Sequence, residues 1–218
     1  MEQLELLGYK TIWGMLYSSD FGMVQKRRRV YAFSIYDPNN EIVSWKGTRD
    51  DLEIILKKIY TCKIYQPKNK KPIKKLIDFS NKDFEESLWA QIKNTPSRIR
   101  MIDSSPCIDI NLKHIPTVTT KQDRLPNCGS VAFNNKRFDN NGVDYTNWRF
   151  ITPREAYLLM GFSEKQYQSA KKEMLLVTKK YRAKTDNQAR EKLYKQAGNS
   201  IAVNIIEMIF YYMSTLEE

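Results

Sequence analysis

Gln25-Lys26-Arg27-Arg28-Arg29 sets a carboxamide and four cations in consecutive positions, directly before the apolar run Val30-Tyr31-Ala32-Phe33-Ser34-Ile35-Tyr36. At the mouth of a strand, side chains alternate between faces. Gln25, Arg27 and Arg29 then share one face, and Lys26 and Arg28 take the other. Three polar groups aligned in this way can converge on one ligand. The plain alternative is an exposed basic strand end. A second stretch, Thr117-Val118-Thr119-Thr120-Lys121-Gln122-Asp123-Arg124, combines small hydroxyls with two cations, a set suited to phosphates and base edges. A third, Gly198-Asn199-Ser200, brings a glycine that lets another group approach the backbone closely. Metal chemistry has little support. Cys62, Cys107 and Cys128 are far apart, no Cys-x-x-Cys spacing occurs, and His114 is the only histidine.

These residues need elements to hold them. Leu4 to Tyr9 reads as the end of a short helix, and Lys10 to Tyr17 as a strand rich in aromatic and branched residues. Ser18 to Gly22 is a turn, so Val30–Tyr36 returns as the second arm of a hairpin. Asp37-Pro38-Asn39-Asn40 marks a boundary. Arg49 to Tyr60 is an amphipathic helix by the spacing of Leu52, Ile55, Leu56 and Ile59. Pro67 to Lys75 is a lysine-rich linker, either a solvated loop or a phosphate contact. Phe84 to Ile92 reads as a short helix with Leu88, Trp89 and Ile92 inward, and Arg98 to Trp148 as irregular strands and turns. Thr152-Pro153-Arg154-Glu155 announces a helix start: Thr152 and Glu155 form a capping box, and Pro153 stands at the first helical position. Gly161 suits the residue past that helix's end. Ser163 to Lys184 continues as helix. Ile201 to Tyr212 is apolar enough to require burial on most of its circumference, with Asn199 or Ser200 as its cap.

The totals agree with a polyanion partner. Lys and Arg number 36 against 25 acids, a net charge of +11 over 218 residues, and the apolar fraction of 41% can support a core. No run of 18 apolar residues is present, and Met1-Glu2-Gln3-Leu4-Glu5 lacks the order of a signal peptide. With its unpaired cysteines the chain is expected in the cytoplasm.

Taken together and in order, these stretches resemble the DNA cytosine-5 methyltransferase family. Gln25, Arg27 and Arg29 match its Gln-x-Arg-x-Arg motif. Arg149, Thr152, Pro153, Arg154, Glu155, Met160, Gly161 and Phe162 match its Arg-x-x-Thr-Pro-Arg-Glu-(x)4-Met-Gly-Phe motif. Gly198, Asn199, Ser200 and Ile201 match Gly-Asn-Ser-(Ile/Val). Pro116-Thr117-Val118-Thr119-Thr120 is similar to the family's Thr-Leu recognition segment, with Val for Leu. The match covers only the C-terminal half of the family's pattern. No Gly-rich cofactor loop precedes Gln25, and no Pro-Cys or Glu-Asn-Val stands where the family has them. Pro106-Cys107 falls in the recognition region and reads as incidental.

The resemblance implies an α/β fold: an incomplete S-adenosylmethionine-dependent methyltransferase sheet, reduced to its terminal strand pair and closing helix, with a mixed α+β target-recognition domain. Residues 1–36 would be the strand pair, 37–194 the recognition domain and 195–218 the returning helix. In the family a cysteine thiolate adds to carbon 6 of a flipped cytosine and a glutamic acid assists at the ring nitrogen. By that resemblance Arg29 would stabilise charge on the ring carbonyl oxygen, Arg27 would hold the target nucleotide, and Gln25 would line the same surface. Gly198, Asn199 and Ser200 would wall the S-adenosylmethionine site. Thr117, Thr119, Thr120, Lys121, Arg124 and Arg154 would contact double-stranded DNA. The implied protein is the DNA-recognition half of a split enzyme in restriction-modification. It would be inactive alone and active with a partner chain carrying the cofactor loop and cysteine, and a homodimer is possible in isolation. The alternatives are a non-catalytic DNA-binding module and a truncated remnant.

Overall fold

The computed structural model describes residues 2–39, 41, 51–68, 70–82, 84–122, 124–133, 142–180 and 186–216. After a short helix α1 (Glu2–Leu6), β1 (Tyr9–Tyr17) turns through a 3-10 segment into β2 (Arg28–Tyr36). The two strands pair antiparallel from Tyr9 opposite Tyr36 to Tyr17 opposite Arg28. As alternation requires, Ile12, Leu16, Tyr31 and Phe33 point to one side and are buried. Helix α2 (Asp51–Thr61) covers that side with Leu52, Leu56 and Ile59, and α8 (Val203–Ser214) covers it with Ile205, Met208 and Ile209. Each such side chain contributes roughly 1.5–3 kcal/mol by leaving water. Helix α2 therefore packs with the hairpin, although the boundary at Asp37 assigns it to the second unit.

The opposite face of the hairpin carries Trp13, Met15, Val30 and Ala32, with Val30 59% exposed. Among the described residues this sheet has two strands only, in the order β1-β2.

The second unit is built on a separate sheet, β3-β6-β5-β4, from β3 (Gln91–Lys93), β6 (Tyr145–Arg149), β5 (Ser130–Ala132) and β4 (Cys107–Ile108). Around it stand α3 (Phe84–Trp89), α4 (Pro96–Asp103), α5 (Pro153–Leu159), α6 (Glu164–Lys180) and α7 (Asp186–Asn199). Its core joins Val118, Val131 and Ile151 to Ala156, Leu159, Tyr167, Leu193 and Tyr194.

The Thr152 cap forms in full. Its side chain accepts from the Glu155 backbone N–H, while the Glu155 carboxylate accepts from Thr152 N–H. Gly161 then takes φ +92°, the left-handed conformation expected after the helix end. Glu155 does more than cap: its carboxylate accepts two bonds from Arg149, at 2.8 and 2.9 Å, with both side chains essentially solvent-free. Arg149 also donates to Asn81, Phe150 O and Asp78 O, and Asp78 N–H donates to Glu155. Burial alone would lower the Arg149 pKa. Glu155 outweighs it and raises the value. A buried pair with its remaining polar atoms bonded in this way is tolerated, whereas removing one partner would strand a charge.

Several sequence expectations are revised. The helix expected over Phe84 to Ile92 stops at Trp89, and Ile92 lies on β3. Short apolar runs do not by themselves distinguish helix from strand. The stretch read as irregular from Arg98 begins inside α4, whose N-cap Thr95 accepts from Arg98 N–H and whose Pro96 occupies the first turn. Residues 134–141 of that stretch lie outside the described residues, as do Arg49 and residues 181–184 at the ends of two expected helices. Helix α7 was not anticipated: Ala189, Leu193, Tyr194 and Ala197 are its buried stripe in an otherwise polar sequence. The lysine-rich stretch is pinned rather than loose, because Ile73, Leu76 and Ile77 enter the core around it. Helix α8 starts at Val203, with Ala202 as an N-cap that offers no side-chain bond. Neither Asn199 nor Ser200 caps it; the Ser200 hydroxyl donates to Ala197 O at 2.6 Å. One face of α8 is buried, while Ile201 before it and Phe210 on it stay 54% and 64% exposed. Along α8 only Phe210 and Ser214 are exposed, the other residues being buried or half-buried, as an apolar helix requires.

Candidate functional site

Gln25 to Arg27 lies just before β2, and this extended segment runs parallel to Ile115–Val118. Ile115 N–H donates to Val24 O at 2.9 Å and Lys26 N–H to Ile115 O at 2.8 Å, and the Thr117 hydroxyl donates to Lys26 O. Gln25 and Arg27 are buried together, while Arg29, on the same side of the strand, is exposed. The Gln25 carboxamide donates to Leu159 O and Met160 Sδ, both at 2.8 Å, and accepts from Val118 N–H. The Arg27 guanidinium donates to Val118 O at 3.1 Å, Gly198 O at 2.8 Å and Ser200 O at 3.1 Å. Two side chains thus tie the hairpin to the Ile115–Val118 segment, the end of α5 and the α7–α8 junction.

The electrostatics follow. Arg27 has its pKa lowered, first by burial and then by the charge of Arg29. Tyr31, on the same face, has its pKa raised by burial against the opposite pull of Arg27, Ala202 and Arg29. Arg29 spends one guanidinium bond on Arg28 O and is otherwise exposed at the mouth of the hairpin. The structure therefore separates the motif's three residues: Gln25 and Arg27 hold backbone, and Arg29 faces solvent beside them.

Gly198 shows why no side chain stands at its position. A Cβ there would meet Thr120 N at 2.4 Å and Thr119 C at 2.5 Å. The close approach read from the sequence is thus made by the recognition segment itself. With Gly198 O and Ser200 O accepting from Arg27 and the Ser200 hydroxyl turned to Ala197, only the Asn199 side chain of the three is fully exposed.

The other candidate residues divide. Thr120, Lys121 and Arg124 line one depression with Lys192 and Lys195 of α7. Arg124 also pairs with Glu191 at 2.9 Å, both side chains being about half exposed. Thr117 and Thr119 are half-buried and do not line this depression. Arg154 lies elsewhere, paired with Glu164 at 2.7 Å. Burial raises the Glu164 pKa, but the bonds from Arg154 and Gln168 outweigh that and hold it below the usual carboxylate range. Lys192 and Lys195 escaped the sequence reading because α7 itself did. Cys128 is fully buried with its thiol pKa pushed up, first by burial, and Cys107 is exposed with a raised pKa. Neither is activated as a nucleophile.

The family model for C-5 cytosine-specific DNA methylases matches residues 1–215. The chain belongs to that family. Among curated proteins it is 25% identical over 210 residues to the Type II methyltransferase M2.ScrFI of Lactococcus lactis subsp. cremoris, which covers 95% of this chain and 46% of the relative. Among solved structures it resembles the Dnmt2 methyltransferase of S. pombe, with TM-score 0.59 and 16% identity over 96% of this chain and 59% of that one. It also resembles the Entamoeba histolytica methyltransferase EhMeth, with TM-score 0.58 and 15% identity over 100% and 57%. The chain thus spans about half the length of the curated relative and under three fifths of these structures. Methylases of this family use S-adenosylmethionine. By themselves Gly198, Asn199 and Ser200 do not form a cradle for it: Gly198 is filled by Thr119–Thr120, the Ser200 hydroxyl is bonded to Ala197 O, and Asn199 is exposed. Among the described residues no helix is long and apolar enough to cross a membrane, and no cluster of metal-binding side chains occurs.

Proposed function

We propose that this methylase-family chain is the DNA-recognition half of a cytosine-5 methyltransferase that works in restriction-modification. A complementary polypeptide carries the Gly-rich cofactor loop, the cysteine nucleophile and the glutamate. The observation that carries the reading is the Arg27 guanidinium, which binds Val118, Gly198 and Ser200 at once and leaves Arg29 exposed at the hairpin mouth. That arrangement assembles the recognition segment beside a free-standing cation. Burial raises the thiol pKa of Cys107 and Cys128, so neither of these is activated as a nucleophile.

In this reading Arg29 meets the carbonyl oxygen of the extruded cytosine as charge develops there, a role worth roughly two to three orders of magnitude in turnover for comparable donors. Thr120, Lys121 and Arg124, joined by Lys192 and Lys195, take phosphates and base edges of the duplex. The cofactor is held chiefly by the complementary part, with Asn199 at its border. Arg27 and Gln25 act as positioning residues.

The test is methyl transfer from labelled S-adenosylmethionine to cytosine in duplex DNA. The isolated chain is expected to be inactive. Mixing with a polypeptide that carries the missing loop and nucleophile is expected to restore turnover, and Arg29→Ala to reduce it ~100-fold or more without loss of DNA binding. Robust turnover by the isolated chain would overturn the split. Duplex binding with no activity in any complemented mixture would favour a non-catalytic DNA-binding module.

A further inference from the structure

The lysine-rich stretch noted in the sequence is not absorbed by the site above. Lys70, Lys71 and Lys74 line a cleft of about 1140 Å³, and across from them stand Lys113 and His114. The turn between the two hairpin strands contributes Ser19, Asp20, Gly22, Met23 and Val24 to the same cleft. Ile73, buried, anchors the lysine side, and Ile115, buried, anchors the other, so the cations are presented on fixed backbone. All four lysines are exposed.

The charge balance inside the cleft is positive. Its one carboxylate, Asp20, is already paired with Lys57 at 3.0 Å. Glu164, which interacts with Lys71, is paired with Arg154. Lys70 is poised with its ammonium 5.0 Å from the centre of the Tyr60 ring. No ion pair is seen for Lys74 or Lys113 among the described residues.

Size and position narrow the ligand. The cleft exceeds the usual range of a small-molecule pocket, roughly 300–1,000 Å³, and carries the ammonium groups of Lys70, Lys71, Lys74 and Lys113 beside apolar side chains such as Met23, Ile73 and Leu112. The hairpin turn and the His114 side meet where Val24 bonds Ile115; Arg27 bonds Val118, and both strands run parallel between these points. Those three residues of extended chain span about 10 Å, close to three base-pair rises. His114 of the cleft stands three residues before Thr117, so a duplex on the Thr117–Arg124 segment lies within reach of it.

We infer that this cleft is a second phosphate-binding site, which takes the phosphodiester backbone of the DNA duplex beside the recognition segment. The inference rests on the DNA-recognition reading above. Phosphate contacts made by ammonium groups are independent of base sequence and release counterions, so they show in the salt dependence of affinity.

The experiment titrates the full chain with fluorescent duplexes of two unrelated sequences over a range of salt. The Lys70→Gln/Lys71→Gln/Lys74→Gln variant is compared with Lys121→Gln/Arg124→Gln and with the unaltered chain. The expected result for the cleft variant is at least a ~10-fold loss of affinity, equal for both sequences, with the slope of log K against log salt flattened by about 2. Inorganic phosphate at millimolar concentration should not reproduce protection of the cleft lysines from acylation that the duplex gives. Protection by phosphate alone at that level would overturn the polymer assignment. Unchanged affinity and slope in the cleft variant, while the Lys121/Arg124 variant weakens, would overturn the cleft alone. No duplex binding by the unaltered chain would remove the reading beneath it as well. Thermal unfolding of the variants, which alter only exposed side chains, checks that the fold is intact.

Discussion

Arg27 and Arg29 are two positions apart, carry the same side chain and lie on the same side of the strand. Burial separates them: Arg27 is 4% exposed and bound to three backbone carbonyls, while Arg29 is exposed and bound to its neighbour's carbonyl. Removing Arg27 would leave carbonyls of Val118 and Gly198 without their donor in a dry junction, at roughly 1–3 kcal/mol for each stranded group. Arg27→Ala should therefore lower unfolding free energy by about 3 kcal/mol in urea titrations, whereas Arg29→Ala should stay within ~0.5 kcal/mol. Equal costs for the two variants would refute this division of labour. The resemblance suggested the nucleotide as Arg27's partner, and in this structure its guanidinium is engaged on the chain's own backbone. Sequence alternation correctly grouped Gln25 with Arg27. It could not say which member of the row the tertiary fold would leave outside.

At the scale of elements, the decisive contact is between α7 and the Thr119–Thr120 segment. The approach of Gly198 to Thr119 and Thr120 is backbone against backbone, so no rotamer change can make room for a methyl group. Gly198→Ala should cost at least about 1–3 kcal/mol as an overpacking change, and should push the segment off α7. Hydrogen exchange should then speed up at the Val118 and Lys26 amides, which depend on that docking. A variant with native stability and exchange rates would show that the segment is held by other means. The capping box at Thr152 was legible because it uses residues three apart in one chain segment. The buried Arg149–Glu155 pair was less so, since the same Glu155 satisfies both the cap and a charge on β6. Helix α7 was missed because a stripe of Ala189, Leu193, Tyr194 and Ala197 is sparse among lysines and glutamines.

At the scale of the molecule, the hairpin is a two-stranded sheet covered on one face by α2 and α8. Its other face keeps Val30 59% exposed beside Ala32, Met15 and Trp13, and Phe210 and Ile201 lie exposed on and before α8. Exposed apolar groups on an open sheet mark an association surface. Sedimentation of the isolated chain should show concentration-dependent self-association, and Val30→Lys should shift it toward monomer and weaken complementation by the proposed partner polypeptide. A strictly monomeric chain that complements equally well with Val30→Lys would exclude this face as the junction.

What the sequence by itself determined were features set by short-range rules. These are the strand pair, the capped α5, the glycine past its end, the basic charge, and the resemblance to the methylase family. Tertiary structure alone decided which of the motif residues hold backbone and which meet solvent, that α2 joins the hairpin, and that the lysine stretch lines a cleft with Lys113. The reason is physical. Alternation and capping depend on neighbours within a turn or two, whereas burial and the pairing of buried polar groups depend on segments as distant as Arg27 and Gly198, which only the packed chain brings together.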